Sequence, residues 1–302
     1  KLAYEYVDRA KALGKTNYQD ISLGEMIEIF TSSIIDSQKR SYQSYISAIN
    51  NLLKSMSPST PLKQVSKQSI QEHLSQFTSI ITYNSNHARL RYMFNWCVGE
   101  GILDYSPMQN IKPKQVPYRE PSYFLPDKVA EIMRVVEENP PEADGALFFI
   151  FGFFCGIRSA EIMRLEWRDI DLEAGSIRVR QPKGFSRGIK PRIVELEPNA
   201  KAWIKGYYNP QKSGKIITSR LSEWKKQILQ PLGLGWGNDR NHNVMRHTYA
   251  TMHAGAFRNP GATALNLGHG HSSAVLERYY MGVVPRETAC KHWQIWPQKN
   301  QE

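Results

Sequence analysis

The residues of this 302-residue chain best suited to chemistry are arginines, histidines, a basic loop and a tyrosine pair. Arg158 follows Gly156-Ile157 and stands three residues before Glu161; Arg246 lies within Asn243-Val244-Met245-Arg246-His247-Thr248. His269 follows Leu267-Gly268, His271 comes two residues later, and Tyr279 and Tyr280 are adjacent. Ser176 to Val194 carries Arg178, Arg180, Lys183, Arg187, Lys190 and Arg192 with no acidic residue. Such a set suits phosphodiester cleavage without a metal, which needs a nucleophile, donors for charge growing on the non-bridging oxygens, and an acid for the leaving oxygen. Two guanidiniums converging on one phosphate would offset most of that charge, each interaction being of a kind whose loss costs about 3 kcal/mol. The sequence has no acidic cluster spaced for magnesium, no P-loop and no Gly-x-Ser-x-Gly elbow, which weighs against metal-dependent nuclease and nucleotide-driven readings. Singly, each feature has a plainer reading: Arg158 in a surface ion pair with Glu161 or Glu166, the tyrosine pair packing on an amphipathic helix, the basic stretch a solvated loop touching phosphates.

Together and in this order, the segments resemble the tyrosine recombinase, or phage integrase, family. Gly156-Ile157-Arg158-Ser159-Ala160-Glu161 is similar to its first arginine box. Asn243 to Thr248 resembles the second, usually His-x-x-Arg-His-Thr, and Leu267-Gly268-His269 with Arg278-Tyr279-Tyr280 resembles the ending. The resemblance implies that Arg158 and Arg246 face a scissile phosphate, that His269 donates to it, and that Tyr280 attacks it. It also implies a lysine in a hairpin turn that protonates the leaving 5′ oxygen: Lys183, with Lys190 as the alternative. Asn243 departs from the family's histidine, and an amide can donate a hydrogen bond but cannot exchange protons. His271 competes with His269, since it lies nine residues before Tyr280, and Tyr279 competes with Tyr280. The continuation Val284-Pro285, Ala289 and Trp293 favours Tyr280. His247, His253 and His292 are read as supporting the fold.

The implied activity is that of a site-specific DNA recombinase, an integrase that cleaves and rejoins strands through a 3′-phosphotyrosine. Bond energy is conserved, so the resemblance implies no cofactor and no metal, with double-stranded DNA as partner and a homotetramer assembled on it. Two relatives of that reading stay open: a non-catalytic DNA-binding protein of the same fold, for which Asn243 argues, and a type IB topoisomerase-like enzyme. An RNA-binding helical protein is a further alternative, without a recognition motif to support it.

The elements that must position these residues are mainly helical. From Leu23 to Trp96 apolar residues recur at three- and four-residue spacing, with Ser66 opening one helix and Thr82 or Asn84 expected to cap the next. Gly99 and Gly101 end that run, and Pro107, Pro113, Pro117 and Pro121 with Lys112, Lys114 and Arg119 between them read as an extended basic connection. Beyond it, Pro126 to Val136 and Ala146 to Cys155 read as helices, Ile177 to Arg180 and Arg192 to Leu196 as strands. The expected fold is therefore mainly α with a small β-sheet, in two domains. Residues 1–112 form a helical core-type DNA-binding domain, 113–121 a linker, and 122–302 an α+β catalytic domain. The chain begins with Lys1, and the first ~18 residues are read as a linker from a preceding domain.

Composition agrees with a DNA partner. The net charge of +11 attracts polyanions, and it rises from +3 over residues 1–112 to +8 over 113–302. Cys97, Cys155 and Cys290 are too scattered for a disulfide framework or thiolate metal site, which fits a reducing compartment. No apolar run reaches the roughly 18 residues of a membrane span, and the expected location is the cytoplasm.

Overall fold

A computed structural model describes residues 21–35, 41–118, 120–138, 143–180, 191–218, 228–234, 243–269, 274, 276 and 281–298. The chain divides into two compact units, Lys1–Tyr118 and Arg119–Glu302.

In the first unit the described residues form helices α1 (Leu23–Ile34), α2 (Tyr42–Leu52), α3 (Lys67–Ser75) and α4 (Ile80–Gly99). Ser22 and Glu25 close a reciprocal capping box at the start of α1, and Ser66 with Ser69 does the same for α3. Helix α4 starts earlier than Thr82 or Asn84 would place it. Ser79 is the cap, its hydroxyl accepting from the Thr82 N–H, and Asn84 sits inside the helix. The Asn84 side chain is engaged elsewhere: its amide donates to the Lys114 carbonyl and accepts from the Lys114 N–H, both at 2.8 Å. His87 bonds the Ile111 carbonyl at 2.8 Å, and the Lys114 ammonium lies over the Tyr83 ring at 4.3 Å. Residues 111–114, of which 113 and 114 open the linker read from sequence at 113–121, are thus fastened along α4. Leu23, Met26, Phe30, Tyr45, Ile49, Leu90, Met93 and Phe94 share the core of this unit, as their helical spacing requires.

The second unit contains α5 (Pro126–Glu138), α6 (Ala143–Cys155), the single turn α7 (Ser159–Ile162), strands β1 (Ile170–Asp171), β2 (Ser176–Val179) and β3 (Arg192–Glu195), then α8 (Pro198–Lys205), α9 (Val244–Phe257), α10 (Pro260–Leu267) and α11 (Arg286–His292). The strands form an antiparallel sheet in the order β1-β2-β3, with Ile177 opposite Val194 and Val179 opposite Arg192. Strand β1 has two residues, too few for an alternating pattern to reveal it. From Ala146 to Cys155 helix α6 is apolar on every face and buried, with Phe148, Phe149, Phe151, Phe153 and Phe154 at its centre, which makes this stretch the central rod of the core. Among the described residues no helix is long and apolar enough to cross a membrane.

A glycine on α6 and another just past its end decide where α9 lies. A β-carbon at Gly152 would stand 2.7 Å from the Met245 side chain, and one at Gly156 would stand 2.4 Å from the Tyr249 ring. Two glycines four residues apart therefore receive two side chains four residues apart on α9. Arg246, next to Met245, is carried to the end of α6 by that fit.

Candidate active site

Arg246 is 2% exposed, an unusual place for a guanidinium, and its environment explains how it is tolerated. Nη1 donates to the Gly156 carbonyl at 2.6 Å; Nη2 donates to the Leu267 carbonyl and to Nε2 of His269, the latter at 3.1 Å. Three segments far apart in sequence, around residues 156, 246 and 268, converge on one side chain. Gly156 can offer its carbonyl because it adopts φ +61°, a conformation costly for a residue with a β-carbon. At the other end, α10 closes with Gly268 at φ 74°, and the turn delivers His269 to Arg246.

Arg158 caps α7 two residues after Gly156. Its Nη1 lies 3.1 Å from a Glu161 oxygen, and its backbone N–H donates to the other oxygen at 3.1 Å. The ion pair anticipated as the plainer reading of Arg158 is therefore present. Glu161 is shared, however. Arg192, at the head of β3, grips both oxygens of the same carboxylate at 3.1 and 2.8 Å and donates from Nε to the Asn266 carbonyl at 2.7 Å. Burial, the largest single influence on Glu161, would raise its pKa, but the hydrogen bonds and charge of Arg192 and then of Arg158 outweigh it and hold the carboxyl at about 2. The pairing of Arg192 with Glu161 is what sequence reasoning missed. The available signal was a glutamate on a turn enclosed by apolar residues, which demands a cationic partner, but nothing local says which.

The basic stretch is likewise less uniformly free than its composition suggested. Arg180 pairs with Glu166 at 3.5 Å and with Asp169, and Arg192 with Glu161, whereas Arg178 on β2 is exposed. Local counting found no acid within the stretch because the acids come from residues 161–169.

His269 is half-buried. Burial first, then the charges of Arg246, Arg158 and Arg192, lower its pKa to about 4, so it is neutral near neutral pH. Asn243 stands exposed at the N-cap of α9, its carbonyl accepting from the His247 N–H at 2.8 Å and its side chain making no capping bond. His247 is tied to the backbone of Ser122, and burial brings its pKa to about 4. His253 bonds Thr263 at 2.8 Å and His292 bonds the Phe153 carbonyl at 3.1 Å, both buried. Lys183, Lys190, His271, Tyr279 and Tyr280 lie outside the described residues.

Chemically, Arg158, Arg192 and Arg246 bring three positive charges to one side of the unit against the single carboxylate of Glu161. That excess suits a phosphate diester whose charge grows during reaction.

The model of the phage integrase family matches residues 122–282, just over half of the chain, a range holding Arg158, Asn243, Arg246, His269 and Tyr280. Tyrosine recombinase XerC of Proteus mirabilis is 26% identical over 176 residues, 54% of this chain and 55% of that protein. The chain thus spans about half the length of that relative. XerC of Lactobacillus delbrueckii subsp. bulgaricus is 23% identical over 264 residues, 78% of this chain and 84% of that protein. Among solved structures, a lambda integrase dimer bound to a COC′ core site superposes with a TM-score of 0.69 at 14% identity, covering 98% of this chain and 82% of that one. A lambda integrase tetramer bound to a Holliday junction gives 0.67 at 17% identity, covering 85% and 79%. These two likenesses concern the fold. With the boxes in family order inside the matched range, the chain belongs to the phage integrase family, the tyrosine site-specific recombinases.

Proposed function

We propose that this recombinase cuts and rejoins double-stranded DNA with Tyr280 as nucleophile, Arg158 and Arg246 as phosphate ligands, His269, which bonds Arg246, as a further donor to the phosphate, and Lys183 as the acid. In the forward step the Tyr280 hydroxyl gives its proton to water, its oxygen bonds to phosphorus, and the bond from phosphorus to the 5′ oxygen breaks. Lys183 gives that oxygen its proton, leaving a 3′-phosphotyrosine and a free 5′ hydroxyl. A 5′ hydroxyl from another strand reverses the step. One phosphoester replaces another, so neither nucleotide nor metal enters this scheme. Asn243 contributes a hydrogen bond to phosphate and no proton transfer.

The observation that carries the reading is Arg246 bonding Gly156, Leu267 and His269 at once. A guanidinium is expensive to bury, and packing alone does not require three distant boxes to meet on one cation. Preorganised donors of this kind supply most of the stabilisation in a reaction with little covalent work for the protein. We further propose that four copies assemble on two DNA duplexes, in line with the tetramer described for lambda integrase, and that the reaction takes place in the cytoplasm.

The test is covalent capture in EDTA on a pool of nicked duplexes with randomised sequence. An SDS-resistant adduct whose released strand has a 5′ hydroxyl, labelled by polynucleotide kinase without prior phosphatase, is expected. Retention of duplexes without any adduct would favour the non-catalytic DNA-binding reading. Relaxation of supercoiled plasmid irrespective of sequence would favour the topoisomerase-like one.

A further inference from the structure

The carboxylate of Glu161 has an outer and an inner cation. Arg158, 31% exposed, contributes one side-chain bond, while Arg192, 8% exposed, contributes two and buries its stem against the turn that bears His269. A β-carbon on Gly268 would stand 3.0 Å from Cδ of Arg192. If Arg192 were absent, Arg158 would be the side-chain cation left on a carboxylate that is 5% exposed. A buried ion stripped of its partner is heavily penalised, so Arg158 would then be held to Glu161 and withheld from any other anion.

We propose that Arg192 is a positioning residue that neutralises Glu161 from inside, so that Arg158 can exchange its carboxylate for a DNA phosphate, and that fixes the His269 turn through Asn266 and Gly268. The inference rests on the reading of Arg158 as a phosphate ligand. Its physical content is an exchange: Arg158 leaves Glu161, the phosphate takes its place, and the carboxylate keeps a bidentate partner throughout.

The test uses a duplex recovered by covalent capture on the wild-type chain, nicked near the cleavage point and made with either a normal phosphate or a methylphosphonate at the scissile position. The methylphosphonate lacks one anionic oxygen and needs less cationic help. At saturating DNA, Arg192→Gln is expected to form adduct on the order of 100-fold more slowly on phosphate while its Kd changes by no more than about threefold. On methylphosphonate its deficit should shrink to within about tenfold, as it should for Arg158→Gln. Adding Glu161→Gln to Arg192→Gln should restore roughly tenfold of the phosphate rate, because no anion then detains Arg158. Arg192→Lys, which keeps the charge, should stay within about tenfold of wild type, and it carries the test if Arg192→Gln does not fold. Wild-type cleavage by Arg192→Gln, or an equal deficit on both substrates that Glu161→Gln leaves unrelieved, would overturn the proposal and make Arg192 a purely structural residue. A wild-type chain that forms no adduct would instead remove the functional reading beneath it.

Discussion

Nη2 of Arg246 meets Nε2 of His269 at 3.1 Å, and because a guanidinium has only donors, the imidazole nitrogen must be the acceptor. The contact therefore fixes His269 as the neutral tautomer with its proton on Nδ1. Its pKa of about 4 agrees, since burial and three neighbouring arginines all resist a second proton. One side chain thus sets both the location and the protonation state of its neighbour.

Replacing Arg246 by lysine should abolish most activity despite keeping the charge. An ammonium on a linear stem cannot serve the Gly156 carbonyl, the Leu267 carbonyl and His269 in the fork geometry of a guanidinium. Adduct formation is expected to fall on the order of 100-fold or more, with a stability loss of about 2 kcal/mol from the carbonyls left unsatisfied. Chemical denaturation and covalent capture on the same preparation would check both.

Gly156→Ala should destabilise the catalytic unit more than an ordinary surface change. The residue has φ +61°, and its new methyl would fall 2.4 Å from Tyr249. Strain and overpacking together are worth roughly 2–4 kcal/mol, which thermal unfolding should report as a clear drop in Tm. A Tm unchanged by this substitution would contradict the described packing of α6 on α9.

Much of this was legible in the sequence, and the limits have physical causes. The helices of the first unit follow from apolar residues at helical spacing, and Ser66 marks a start because its side chain caps locally. Arg158 and Arg246 stand out because each lies in a short distinctive run, Gly156-Ile157-Arg158 with Glu161 in one and Arg246-His247-Thr248 in the other. Ser79 was overlooked as a cap because Thr82 and Asn84 are equally good capping types, and only the contact of Asn84 with Lys114 shows that Asn84 has another use. The Arg192–Glu161 pair, 31 residues apart, cannot be inferred from either residue's surroundings in the chain. Long-range pairing of charges is a property of the folded unit, and the apparent excess of free positive charge in the hairpin was overcounted for the same reason.

Stability should decline as pH falls from about 6.5 toward 4, a decline that begins above the range of ordinary carboxylates. Burial lowers the pKa of His253 and of His292 to about 4, whereas the unfolded chain takes up those protons near the ordinary imidazole value of 6.5. The unfolded state therefore binds more protons across that window. The contribution is fully present above 6.5 and is lost as pH drops, at about 1 kcal/mol per pH unit for each such histidine. Glu161, held at about 2, works in a lower range, losing its contribution only below the usual carboxylate values. Urea denaturation at about pH 7 and pH 5 should show the difference, and His253→Gln should reduce the slope.

The chain just after the tyrosine pair is held by a clasp that can be probed directly. Gly282 N–H donates to Thr251 at 2.8 Å, Val283 N–H donates to Glu120 at 3.0 Å, and a β-carbon on Gly282 would lie 2.1 Å from the Tyr123 ring. Gly282→Ala should therefore slow adduct formation by roughly tenfold, and Tyr123→Ala added to it should recover activity by making room. Additive losses in the double variant would show that the two residues do not share that space.

The central claim, metal-free attack by Tyr280, is tested most directly with wild type, Tyr280→Phe and Tyr279→Phe on a captured nicked duplex in EDTA, resolved on denaturing gels. The expected result is a covalent band from wild type and from Tyr279→Phe that disappears in Tyr280→Phe alone. A band that survives in Tyr280→Phe, or its absence from a wild-type chain that binds the same duplex, would contradict it.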